Sequence, residues 1–269
     1  MTNKELYDFA YNFLLSKKGV SEALIEKHFK PEQSKPQDLN ALYKRLCDTA
    51  QNRQMSANVI GKSIGGIDNL KSLLFDFNPI QVAKEYGKDD SSRLLERIVG
   101  KLNPVGKIRT TPRSIWPQYC STLIDSAHFL KGFENSEAFY TWADFFANNE
   151  KAKPALPLLI SIEIRGIGFP LACDFLKEIG YTNFGKPDTY IKKIFSALKL
   201  IDSEEKSTLK QDYEAFKAID KIAQDCNVSS FVVDKVFWLI GSGKFYETGF
   251  NIGRNSKEFL EEVIKKESM

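Results

Sequence analysis

An all-α fold is predicted for this chain, on three observations. Apolar residues recur at helical spacing through most of the sequence, alternating strand patterns are scarce, and prolines and glycines gather at a few breaks. The first apolar face is Leu6, Phe9, Ala10, Phe13 and Leu14. The second is Leu39, Leu42, Tyr43 and Leu46, running on into Ala50-Gln51-Asn52. The same habit marks residues 67–77, 79–86, 91–102, 116–131, 136–147, 157–164, 170–179, 189–199, 204–224, 229–240 and 256–266. Val228–Ile240 is rich in β-branched residues, but Phe231, Val232, Lys235, Val236 and Leu239 fit a helix better than a strand. Two breaks, Lys30–Gln37 with Pro31 and Pro36, and Asn103–Pro117 with Pro104, Gly106, Pro112 and Pro117, read as loops between helices or lobes.

Composition sets the bounds. The 269 residues are 42% hydrophobic, enough for one large domain or two small lobes. Lys and Arg number 38 against 35 Asp and Glu, so the net charge of +3 permits a polyanion partner without demanding one. No apolar run approaches the ~20 residues that span a bilayer, and no opening segment has the pattern of a signal peptide. Cys47, Cys120, Cys173 and Cys226 are far apart, with no C-x-x-C, which argues against a zinc knuckle or an iron–sulfur cluster. Isolated thiols without a signal peptide point to a reducing, cytoplasmic setting. His28 and His128 stand alone, so no metal site is expected.

The most informative stretch runs from Pro157 to Gly180. Leu158, Leu159 and Ile162 give one helix an apolar side, and Gly166 and Gly168 break it. Pro170 is placed to open a second helix, with Leu171, Ala172, Phe175, Leu176 and Ile179 as its buried face and Gly180 as its stop. A G-x-G turn between two helices adds no side chain, so a phosphate can approach the amides at the second helix's N-terminus, where the helix dipole favours an anion. The same pattern also suits a plain αα-turn.

Asp188 lies 22 residues beyond Gly166, just before a helix with apolar Ile191, Ile194, Phe195 and Leu198. It reads both as an N-cap, worth ~1 kcal/mol, and as a carboxylate held ionised by the dipole and able to stabilise a cationic sugar or orient water.

Together, Ile164-Arg165-Gly166-Ile167-Gly168-Phe169-Pro170-Leu171-Ala172 and Pro187-Asp188-Thr189-Tyr190-Ile191 resemble the helix-hairpin-helix (HhH-GPD) base-excision DNA glycosylase superfamily. The resemblance implies a two-lobed all-α fold with a DNA cleft between lobes. The inner lobe would span about 38–147, and the hairpin lobe about 148–269, with 1–37 packing onto it. It implies base flipping in double-stranded DNA, phosphate binding by Arg165, Gly166, Ile167, Gly168, Phe169 and Pro170, and chemistry at Asp188. Ala50-Gln51-Asn52-Arg53-Gln54-Met55-Ser56 is similar to an early family helix, which would make Gln51 a wedge in the DNA stack, the other reading being an ordinary exposed glutamine at a helix end. A cleft complete in one chain suggests a monomer. Hydrolysis needs no cofactor, although relatives hold a monovalent cation between hairpin carbonyls and a phosphate.

The departures refine the expectation. Bifunctional members carry a Schiff-base lysine where Pro170 stands, so the sequence favours a monofunctional hydrolase without an iron–sulfur cluster. Lys186 is the nearest other amine, Arg165 replaces the usual proline with a further phosphate contact in prospect, and Tyr190 replaces the usual histidine. The alternatives are a DNA-binding protein of the same fold without catalysis and an abasic-site lyase.

Between Glu96 and Asp125 there is no acid but five basic residues, of which Lys107, Arg109 and Arg113 suit a DNA-facing loop. Trp116 and Tyr119 follow as candidates to stack on a flipped base, or as anchors of the next helix. Ile60-Gly61-Lys62-Ser63 lacks the phosphate loop's earlier glycine, since position 56 is Ser56, which excludes nucleotide hydrolysis on that motif.

Overall fold

A computed structural model of the chain describes residues 1–30, 35–52 and 59–268. Among them the α-helices are α1 (Asn3–Leu15), α2 (Glu22–Glu26), α3 (Leu39–Ala50), α4 (Ile60–Ser63), α5 (Pro79–Glu85), α6 (Ser91–Leu102), α7 (Ile115–Leu130), α8 (Ser136–Ala147), α9 (Ala155–Glu163), α10 (Phe169–Glu178), α11 (Thr189–Ala197), α12 (Thr208–Cys226), α13 (Ser230–Ser242) and α14 (Ser256–Glu267). The expected all-α class is observed. The one sheet among the described residues is a two-residue antiparallel ladder, Lys244 opposite Asn251 and Phe245 opposite Phe250. None of the helices is long and apolar enough to cross a membrane.

The helices begin where side chains can take up orphan amides. Thr2 and Glu5 form a capping box on α1, and Asp38, Asn78, Asn135, Ser207 and Ser229 cap α3, α5, α8, α12 and α13. One expected helix is absent. Residues 67–77 form a short 3-10 turn, Ile67–Leu70, and then Phe75, Asp76 and Phe77 all adopt left-handed backbone. The apolar spacing there buries Leu70, Leu73, Leu74 and Phe77 without a regular helix.

The chain packs as two units, Ser34–Phe175 and Met1–Gln33 with Leu176–Met269. The division falls inside α10, whereas the resemblance drew it near 148. In the first unit α3, α5 and α6 pack on α7, whose Leu123, Ile124, Ala127 and Leu130 are fully buried. In the second, α1, α11 and α12 pack on α13. Its core includes the edge-to-face pair Phe195–Phe237, with ring centroids 5.1 Å apart.

Candidate functional site

The hairpin is built on the C-terminal half of α7. Arg165 is its anchor. The Asp125 carboxylate accepts from the Arg165 backbone N–H (3.0 Å), Nε (2.6 Å) and Nη2 (2.9 Å). Nη2 also reaches the Lys88 carbonyl, and Nη1 lies 3.6 Å from Asp89. Asp125 is 2% exposed, so its charge is compensated almost wholly by this arginine. From the same helix the Thr122 hydroxyl donates to the Arg165 carbonyl at 2.7 Å. The extra phosphate contact expected of Arg165 is therefore corrected to an internal one: its guanidinium ties the hairpin to α7.

The rest of the turn sorts its residues by direction. Ile167 and Phe169 are buried, so their side chains anchor the turn rather than face a ligand. Gly166 has φ +92, a conformation that L side chains rarely adopt. Gly168 is different. Its φ is not positive, and an added Cβ would meet only Pro170 Cδ, at 3.8 Å. The fold tolerates a side chain there, yet the position is exposed and bare. Among the described residues, the Gly166 and Gly168 N–H groups donate to no acceptor. Gly168 directly precedes α10, whose first backbone bond runs from the Ala172 N–H to the Gly168 carbonyl at 2.9 Å. The half-buried Pro170 follows with no N–H to satisfy. The turn thus offers backbone donors at a positive helix end, an arrangement suited to an oxyanion.

Asp188 is held by a second construction. Phe184 is fully buried, and a Cβ on Gly185 would lie 2.5 Å from Ile219 Cγ2 and 2.9 Å from the Ser230 carbonyl. Asp234 of α13 receives the Lys186 backbone N–H at 3.1 Å and the Lys177 ammonium at 2.8 Å. The segment before α11 is thereby fixed against α12 and α13. Asp188 then caps α11, its Oδ1 accepting from the N–H groups of Tyr190 (2.8 Å) and Ile191 (3.0 Å). Its Oδ2 has no partner among the described residues.

Two influences oppose each other at this carboxyl. Burial raises its pKa and the nearby Asp234 charge adds to the rise, while the Ile191 and Tyr190 amides and Lys186 lower it. Burial prevails, and the group is pushed up to about 6. The helix N-terminus alone would have favoured ionisation, as the sequence suggested, but desolvation is the larger effect here.

Other candidates are redistributed. Gln51 is buried, donates to Asp48 Oδ1 at 3.2 Å, and its Oε1 fills the space a Gly61 side chain would need. It packs inside the protein rather than standing out as a wedge. The neighbouring Arg53-Gln54-Met55-Ser56 lie outside the described residues. Of the two readings of Trp116 and Tyr119, burial fits the anchor and not the base-stacking one: their rings meet edge-to-face, and the Tyr119 hydroxyl donates to the Cys47 carbonyl at 3.2 Å. They anchor α7 rather than line an open base pocket. Lys107, Arg109 and Arg113 are exposed and have no acidic partner among the described residues. Their loop is docked by the Ser63 hydroxyl on the Val105 carbonyl at 2.6 Å.

Sequence reasoning missed Asp125 and Asp234. A signal existed: each is the single acid of a helix with few charged residues, where a buried charge requires a partner.

No family model matches the sequence, and no curated protein resembles it significantly. Solved structures do. The 8-oxoguanine glycosylase/lyase of Methanocaldococcus jannaschii, in complex with a 15mer DNA containing 8-oxoguanine, is 16% identical. It covers 90% of this chain and 99% of its own, with a TM-score of 0.55. The 8-oxoguanine DNA glycosylase of Thermotoga maritima is 15% identical and covers 91% and 99%, with a TM-score of 0.53. This chain has the all-α, helix-hairpin-helix glycosylase fold of these two enzymes.

Proposed function

We propose that this protein is a DNA glycosylase that hydrolyses the N-glycosidic bond of a damaged or modified base and leaves an abasic site. The observation that carries this reading is the asymmetry of Asp188. One carboxyl oxygen is saturated by two backbone amides, the other is open, and the group titrates at about 6. With that pKa it is about nine-tenths ionised at neutral pH. An ionised carboxylate at that point stabilises the cationic sugar that develops as the base departs with the C1′–N electron pair. Water then adds to C1′ and gives up a proton, for which Asp188 is the acceptor.

The hairpin supports the same reading. Its unpaired Gly166 and Gly168 amides suit a phosphodiester oxygen, a contact that positions DNA without reading sequence. The exposed Lys107, Arg109 and Arg113 add attraction for the backbone.

Pro170, which has no amine where the superfamily that the hairpin resembles carries its lysine, supports the monofunctional form of the reaction. Lys177, further along α10, is buried against Asp234. A second reading has one observation in its favour: the M. jannaschii neighbour is a glycosylase/lyase. An abasic-site lyase of this fold would need its amine elsewhere, with Lys186 the nearest to Asp188 in sequence.

The test is base release from duplexes that each carry one lesion, starting with 8-oxoguanine, followed by hot alkali. Strand breaks that need alkali support the hydrolase. Breaks without alkali, with a covalent adduct trapped by borohydride, would replace it with the lyase. Salt-sensitive binding without release from any lesion would leave a DNA-binding protein.

A further inference from the structure

Arg254 is exposed, and among the described residues no carboxylate pairs with it. Its position is nevertheless fixed. The Asn255 N–H donates to the Ile240 carbonyl at 3.0 Å, and the Asn255 side chain donates to the Gly253 carbonyl at 2.7 Å. The Gly253 N–H bonds Asn251 Oδ1 at 2.8 Å, and the Ile252 N–H bonds the Gly243 carbonyl at 2.9 Å. Arg254 therefore rides on a short strap fastened to the C-terminal end of α13.

The guanidinium carbon lies over the Tyr190 ring, 5.7 Å from its centroid. Tyr190 is itself immobilised. Its Cβ and ring press on Gly241 so closely that an added methyl there would lie 2.5 Å from Tyr190 Cβ. Its backbone N–H is one of the two that donate to Asp188 Oδ1. The ring takes up no N–H donor by a conventional hydrogen bond and no carboxylate pairs with the guanidinium among the described residues, so its donors suit bidentate binding of a phosphate. A cation here would oppose a cationic sugar, so its chemistry belongs with the anionic part of a nucleotide.

We propose that Arg254 is a phosphate-binding residue that grips the DNA backbone beside the nucleotide acted on by Asp188. The inference rests on the glycosylase reading above. Tyr190 is its platform, and the ligand is a phosphodiester.

The experiment measures affinity for a duplex bearing a tetrahydrofuran abasic-site analogue, for the full chain and Arg254→Ala, from about 50 to about 200 mM salt. Neutral methylphosphonates are placed one at a time around the analogue in the same duplex. Removal of one phosphate contact should lower the slope of log K against log salt by about 0.9. One methylphosphonate near the analogue should weaken binding by the parent and leave Arg254→Ala unaffected. Equal slopes and identical methylphosphonate profiles for the two proteins would overturn the proposal while leaving the glycosylase reading intact. Absence of salt-dependent binding by the parent would overturn both. Arg254 is exposed, so an unchanged thermal melt of the variant establishes that the comparison is between folded proteins.

Discussion

The hairpin and the Asp188 turn are both short loops that lead into a helix N-terminus, and they leave different groups unsatisfied. In the hairpin the ionic group, Arg165, is turned back onto buried Asp125, and the open groups are neutral backbone donors at Gly166 and Gly168. At the turn the backbone donors are consumed by Asp188 Oδ1, and the open group is the second oxygen of a largely desolvated carboxyl. On the proposed function, the first arrangement suits an anion by geometry that does not titrate, and the second carries a charge whose presence depends on pH, so binding and chemistry should be separable by mutation.

The largest structural effect is expected at the hairpin's anchor. Asp125→Ala leaves Arg165 without its carboxylate and opens a hole beside α7. Arg165 is half exposed and stays solvated, so the loss is that of its charged hydrogen bonds, about 1.5–3 kcal/mol, to be read by denaturant unfolding. If stability changes by less than about 1 kcal/mol, Arg165 does not depend on Asp125 as described.

At the turn the sign reverses. The folded Asp188 pKa of about 6 lies above the ordinary 3.8, so the folded state binds the proton more tightly and ionisation works against folding. Asp188→Asn keeps a capping side chain and removes that opposition. At pH 7–8 it should be more stable by up to about 3 kcal/mol. The gain should shrink as pH falls through 6 and vanish near pH 4. A variant that is less stable at every pH would contradict the assigned balance of burial and capping.

The two hairpin glycines sharpen the contrast further. Gly166→Ala forces a side chain into positive φ and should cost about 1–2 kcal/mol in a thermal melt. Gly168→Ala should change stability by no more than about 0.5 kcal/mol, yet weaken salt-dependent DNA binding, because its methyl group covers the open amide. Equal affinity for DNA before and after Gly168→Ala would remove the hairpin from the interface.

What the sequence revealed follows from the range of each signal. The hairpin, α10 and the Asp188 cap depend on residues within a few positions of one another, and glycine, proline and aspartate mark such local geometry directly. The types and helical context of Gln51, Trp116 and Tyr119 permit a DNA-facing role as well as a packed one, and distant neighbours such as Cys47 and Gly61 decide between them. Arg165 shows the same limit, since its partner Asp125 lies 40 positions earlier. Residues 67–77 fail in another way: the apolar spacing predicts burial correctly at Leu70, Leu73 and Leu74, while the backbone turns left-handed instead of continuing as a helix.

The most direct test of the central claim is single-turnover base release as a function of pH, for the parent and Asp188→Asn, on whichever lesion duplex the parent cleaves. The parent rate should be flat above pH 7 and fall about tenfold per unit below a midpoint of about 6. Asp188→Asn should be about 10²–10⁴-fold slower, without that acid limb. Base release by Asp188→Asn at the parental rate would contradict the assignment of Asp188 as the reacting carboxylate.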